Sequence, residues 1–348
     1  MTALPATSDA GRDRVPVGRS IRLVVILAIL AGLAWYTVQK LGIDQATEQL
    51  VNALTRGAIY ALIALGYTMV YGIIELINFA HGDMFMMGSF VSLTFLGTIL
   101  GLNGAINDIV PLIGLLILAF IVAMGVMGVV GVTIERLAYR PLRNAPRLAP
   151  LITAIGVSFI LQNIVQLRYG PFQTNSPKIF PDTWFIQLGG ARIPVLSIFI
   201  IAVAIALMIG LQLFIGRTRL GRAMRATAAD RDAASLMGVN INRTIAITFL
   251  IGSALAGAAG VVNGLQYGVA RFDDGFQAGL KAFTAAVLGG IGNTMGAALG
   301  GFIIGFIEVG SAAFGFTRWG PAIVFGTLVI VLVFRPAGLL GQQLGERA

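Results

Sequence analysis

The sequence predicts an all-α polytopic membrane bundle of about ten transmembrane helices, and three observations carry that expectation. Of 348 residues, 57% are hydrophobic and only 11% are charged, whereas a soluble domain carries about 25% charged residues. The apolar residues fall in stretches long enough, or nearly so, to cross a hydrocarbon core. Runs such as VLSIFIIAVAIALMIGLQLFIG, from residue 195, are continuous and lack the alternation of a transmembrane strand.

The expected spans are 21–38, 50–72, 84–101, 110–134, 149–168, 194–216, 244–269, 277–293, 296–315 and 319–334. The first follows a polar stretch with Arg12, Arg14 and Arg19. It reads as a retained helix rather than a signal peptide, because no small-residue cleavage site precedes a soluble domain. The segment 277–293 contains Lys281 and is the weakest span, with a re-entrant segment as its alternative. Two loops are rich in arginine: ERLAYRPLRNAPRLA, with Arg136, Arg140, Arg143 and Arg147, and the loop 217–243. Two spans separate them, so both can face the cytoplasm, and counting outward puts both termini there too. The loop 169–193 has two basic residues and falls outside. The net charge of +9 is then explained by orientation, without a nucleic-acid partner.

Composition also excludes several chemistries. Cysteine is absent and histidine occurs once, which removes thiolate sites and the usual histidine metal clusters. No lysine is followed by Ser or Thr, so there is no Walker A loop to hold ATP. Neither a metal nor a cofactor is expected. Glycine, 45 residues in all, clusters in 286–305. Gly296, Gly300 and Gly301 suit close helix packing, whereas Gly290, Gly292 and Asn293 read as a helix break, tolerated where protein or a cavity surrounds it.

Within 217–243 the sequence predicts two short helices with an elbow. The first runs from Arg219 to Ala228, and Asp230 caps a second from Arg231 to Met237. Gly238 then stops it. Arginines held at anionic lipid headgroups are one explanation; a shaped contact for a cytoplasmic partner is the other.

The stretch INFAHGDMFMMG, residues 77–88, places Asn78, His81 and Asp83 between two apolar helices. Residues 73–83 read as a break in or at the edge of the membrane, with Asp83 capping the following helix. Asn78 and His81 either satisfy backbone groups freed by the break or line a substrate pathway. Glu75, two helical turns before Asp83, is expected to face the same cavity. Glu308 stands alone in an apolar helix, so it should face protein or water, with Lys281 as a candidate partner. Asn78, His81, Asp83, Glu75 and Glu308 form the expected pathway set.

Five blocks of the chain now add up. YALIALGYTMVYGIIELINFAHGDMFMMGSF, ERLAYRPLR, LITAIGVSFILQN, RLGRAMRATAADRDAASLMGVN and KAFTAAVLGGIG resemble the H-type permease subunit of high-affinity branched-chain amino acid ABC importers. The resemblance covers residues 47 to 341 and implies a type II importer-like permease domain there. Residues 1–46, a tail and an extra helix, depart from that pattern, and 342–348 form a C-terminal tail. The resemblance implies Leu, Ile and Val as substrates and a bacterial inner-membrane location. It also implies a second permease subunit, two cytoplasmic ATP-binding subunits and a periplasmic binding protein. The chain itself is then a transport subunit, not an enzyme. The loop 217–243 matches the family's ATPase-coupling loop, which implies coupling roles for Arg222, Arg225, Asp230, Asp232 and Gly238. Urea or short-chain amide permeases are similar and stand as an alternative. An ion-coupled secondary transporter, using Glu75, Asp83 or Glu308, is another; a channel would need a repeated polar ring, which the sequence lacks.

Overall fold

The computed structural model describes Gly32 and residues 35–341, apart from Asn144 and Arg147. Most of the expected first span, the N-terminal tail with its arginines, Arg147 and the tail 342–348 lie outside the described residues.

Helix α1 (Ile43–Ile74) is followed by α2 (His81–Leu93, extended by a π-helical turn to Ile99) and α3 (Ile109–Ile134, continued by short turns to Leu142). Then come α4 (Leu148–Tyr169) and α5 (Val195–Arg217). The arginine-rich loop holds α6 (Arg219–Ala229) and α7 (Arg231–Leu236), and α8 (Ile241–Tyr267) follows. The chain closes with α9 (Asp274–Gly289), α10 (Thr294–Ala313) and α11 (Gly320–Phe334). Four short strands, β1 (Thr174–Asn175), β2 (Phe185–Leu188), β3 (Ala191–Pro194) and β4 (Val269–Ala270), form two antiparallel pairs, β1 with β4 and β2 with β3.

Among the described residues, eight helices are long and apolar enough to cross a membrane: α1 to α5, α8, α10 and α11. α1 forms the centre and packs on α10 and α8, while α8 also packs on α2 and α3. Burial runs opposite to what water would impose. The most hydrophobic spans include α5, of which 17% is buried, against 89% of the less hydrophobic α1. Small residues such as Ala58, Ala61 and Ala64 fill the contacts of α1, because helices in lipid associate by close approach rather than by hiding large side chains.

Contacts between loops divide the bundle into two faces. On one face Asp44 and Glu48, in the first turns of α1, accept hydrogen bonds from the Gly190 and Arg192 amides, and β1 pairs with β4. On the other, Arg231 reaches the end of α1, and the Leu340 amide donates to the Gly289 carbonyl. α9 follows β4 of the first face and ends near the second. Its 16 residues span only about 24 Å, less than the roughly 30 Å hydrocarbon core. α9 is not among the eight candidate spans of the described residues; the expected ten included it and the helix at 21–38. Gly290 and Gly292 take positive φ values of 107° and 91°, which turns the chain from α9 into α10.

Candidate functional site

Two helices begin inside the bundle instead of at a face. α1 stops at Ile74 because Glu75 turns left-handed, with φ 56°, the one non-glycine residue with positive φ among the described residues. That conformation costs about 1–2 kcal/mol, so packing around it must hold the break. The chain then folds back, and the His81 ring packs edge-on against Tyr67, with centroids 4.7 Å apart. Tyr67 lies seven residues before Ile74, so α2 starts roughly 10 Å inside the end of α1. Gly66 is what makes room: a Cβ there would collide with the His81 imidazole. α9 likewise starts deep, its first turn at Gly275 crossing Gly82 of α2.

Both arginine-rich loops grip this break. Tyr139, from ERLAYRPLR, donates to the Asn78 Oδ1 at 2.9 Å. Arg143 from the same motif pairs with buried Glu135 and donates to Asn242 Oδ1 at 2.5 Å, at the start of α8. Burial draws the Arg143 guanidinium below its usual value and the Glu135 carboxylate opposes that shift. From the other loop, Arg231 donates to the Ile73 carbonyl at 2.8 Å.

The loop 217–243 is an elbow fixed by local caps. Thr218 Oγ1 accepts from the Gly221 amide at the start of α6. Asp230 Oδ1 accepts from the Asp232 and Ala233 amides at the start of α7. α7 ends at Leu236, one residue before the expected Met237, and Gly238 turns the chain away with φ 83°. The tip presents Leu236 and Met237, two large apolar side chains that are 87% and 84% exposed. Arg222 is exposed, whereas Arg225 donates to the Ile215 carbonyl at the end of α5.

A cavity of about 360 Å³ lies near the opposite face, between α1, α8, α9 and α10. That is within the usual range of small-molecule sites, about 300–1,000 Å³. Ile59, Phe85 and Ala278 supply apolar walls. Arg56, Arg271 and Lys281 oppose Asp273, Asp274 and Glu308 around it. Lys281 Nζ lies 2.7 Å from Glu308 Oε1, and Tyr60 donates to Glu308 Oε2 at 2.5 Å.

Residues 49–332 match the protein family described as branched-chain amino acid transport system / permease component. The chain belongs to this family. It is 48% identical to the high-affinity branched-chain amino acid transport system permease protein BraD of Pseudomonas aeruginosa, over 86% of this chain and 97% of that one. It is 44% identical to the corresponding permease LivH of Escherichia coli K12, with the same coverage. A probable LivH of Methanocaldococcus jannaschii is 28% identical over 84% of this chain and 91% of its own length. No solved structure matches the chain.

In this permease the predicted pathway residues separate into two groups. Glu308 lines the cavity, and its partner is Lys281. Asn78, His81 and Asp83 gather, buried, at the start of α2 and line none of that cavity. Glu75 is exposed at the break and does not share a cavity with Asp83. Nor is Asp83 a helix cap. α2 begins three residues earlier than the cap required, after Ala80, and the Asp83 carboxylate accepts instead from Ser158 and Gln162 of α4. In the dry interior those side-chain donors compensate a carboxylate that would otherwise be unsatisfied. Asn78 and His81 do not satisfy freed backbone groups with their side chains either. Asn78 is bound by Tyr139, and the His81 nitrogens make no hydrogen bond of ordinary geometry, although the Ile63 backbone lies alongside.

Arg56 and Tyr60 join the site without having been marked by the sequence pattern. A signal for Arg56 exists: it is a charged residue inside the apolar stretch 50–72, and a charge within a span needs a functional or structural partner. Tyr60 carries no comparable mark.

Proposed function

We propose that this permease carries Leu, Ile and Val inward, driven by ATP hydrolysed on two separate cytoplasmic subunits that dock on the elbow 217–243. A second permease subunit completes the pathway, and a periplasmic binding protein delivers substrate to the face bearing the cavity. The chain lies in a bacterial inner membrane with both termini cytoplasmic. The observation that carries the reading is the bond from Arg231 in the elbow to the last turn of α1. It gives motion of a docked ATPase a direct connection to the broken helices beyond Ile74. Arg222 and the exposed Leu236 and Met237 form the docking tip; Asp230, Asp232 and Gly238 give it shape, and Arg225 secures it to α5.

The complex reconstituted in proteoliposomes is expected to import leucine only with ATP and both ATPases present. Leucine uptake by the purified chain alone, driven by an ion gradient, would overturn this reading. One observation favours that ion-coupled alternative: Asp83 is fully buried and its hydrogen bonds come from neutral side chains. We assign Asp83 a positioning role between α2 and α4, shared with Asn78 and His81 around the break. Asp83→Asn retains an acceptor for Gln162, so ATP-driven uptake should stay near wild type. An ion-coupling carboxylate would lose transport in the same variant.

The proposed orientation has its own test. No native cysteine interferes, and Gln173 and Ser235 are both exposed. In intact cells an impermeant thiol reagent should label Gln173→Cys and not Ser235→Cys. The reverse pattern would invert the topology.

A further inference from the structure

We propose that the cavity between α1, α8, α9 and α10 is a low-affinity site for the zwitterionic head of the transported amino acid. The α-carboxylate would sit at Arg56 and Lys281, the α-ammonium at Asp273, and the aliphatic side chain against Ile59 and Phe85. The inference rests on the amino acid permease reading above and assigns the residues that meet the substrate.

Charge is divided unevenly around the cavity. Its inner part holds two cations, Arg56 and Lys281, against one carboxylate, Glu308. Both cations face that carboxylate, at 3.6 Å for Arg56 and 2.7 Å for Lys281, and Tyr60 occupies its other oxygen. Glu308 is therefore saturated, while one positive charge remains in excess. The Arg56, Lys281 and Glu308 side chains are 31%, 13% and 16% exposed, too enclosed for bulk water to screen that excess fully. The outer part has the opposite balance. Arg271 faces two carboxylates, donating to Asp273 Oδ2 through its guanidinium and to Asp274 Oδ2 through its amide. The Asp273 side chain is 42% exposed and its Oδ1 makes no hydrogen bond, so the carboxylate retains accepting capacity that an ammonium reaching its exposed side would use.

A positive excess inside, a free acceptor nearer the rim and an apolar wall match the parts of a branched-chain amino acid. The six charges balance overall, but a network serving neutrality alone has no reason to separate a positive excess inside from a negative excess at the rim. Because Glu308 already engages both cations, the substrate carboxylate must share them, which keeps binding weak and permits release. Phe85 belongs to α2, the helix that begins at the break. Movement of the break can therefore change the cavity wall.

The test uses the full complex in proteoliposomes, with leucine uptake and ATP hydrolysis measured together. Arg56→Gln and Asp273→Asn each remove one charged hydrogen-bonding group, so uptake per ATP should fall about tenfold or more. Stimulation of ATP hydrolysis by the liganded binding protein should persist, and Arg56→Lys should restore part of the uptake. Direct binding of radiolabelled leucine to the wild-type permease should be displaced by valine, and poorly by 4-methylpentanoate or 3-methylbutylamine, which each lack one charged end. Wild-type uptake per ATP in both variants would overturn the site while leaving the permease reading intact. So would a loss confined to binding-protein docking, or a loss of uptake that merely follows a lower melting temperature. Failure of the wild-type complex to import any branched-chain amino acid would instead overturn the underlying reading.

Discussion

Arg231→Met is expected to uncouple the transporter: the ATPases remain bound and hydrolyse ATP, but leucine uptake per ATP falls about tenfold or more. The Arg231 guanidinium supplies the described hydrogen bond from the elbow to α1, at the Ile73 carbonyl. A charge-assisted bond of this kind contributes about 1.5–3 kcal/mol. Methionine keeps most of the apolar stem and removes the donor, so the elbow should retain its fold, which depends on Thr218, Asp230 and Asn240 as caps. Arg222→Glu attacks a different step. Its exposed side chain makes it the cleaner docking probe, and reversal is expected to release the ATPase and abolish uptake. Arg225→Glu would lose uptake too, but it also breaks the bond to the Ile215 carbonyl. Copurification of ATPase with each variant separates the two steps. Normal uptake by Arg231→Met would remove this residue from the coupling route, and normal copurification with Arg222→Glu would remove the docking face.

Gly301→Val and Gly305→Val should prevent folding altogether. α1 and α10 approach so closely that a Cβ at Gly305 would come within 2.5 Å of the Gly57 Cα and 2.7 Å of the Ala53 carbonyl oxygen. At Gly301 it would strike the Ala61 backbone. These neighbours are main-chain atoms of the central helix, which has no rotamer to change. Overpacking typically costs about 1–3 kcal/mol, and here separation of the two helices would add lost contacts along their length. Little monodisperse protein is expected after detergent extraction. Gly310→Ala, in the same helix with open space around it, is the control and should be neutral or slightly stabilising, since alanine favours helix over glycine by about 1 kcal/mol. Equal melting temperatures for Gly301→Val and the wild-type protein would refute the close packing.

Features set within a few residues were legible in the amino-acid order itself. Hydrocarbon length marked the eight spans, because a lipid-crossing helix needs a continuous apolar run whatever it packs against. The elbow was readable too: Asp230 is placed to accept from the next amides, and Gly238 suits a left-handed stop. The cost of a lone charge in lipid required protein or water at Glu308 and made Lys281 a candidate partner. What only the tertiary structure decided lies between helices distant in sequence. Asp83 could have capped its own helix, but α4 brings Ser158 and Gln162 to it. Tyr60 reaches Glu308 across 248 positions, and Tyr139 reaches Asn78 across 61. Capping is local geometry, so a short sequence determines it. Which buried donor meets which buried acceptor depends on the crossing of whole helices, and apolar spans that all suit lipid equally carry little information about that choice.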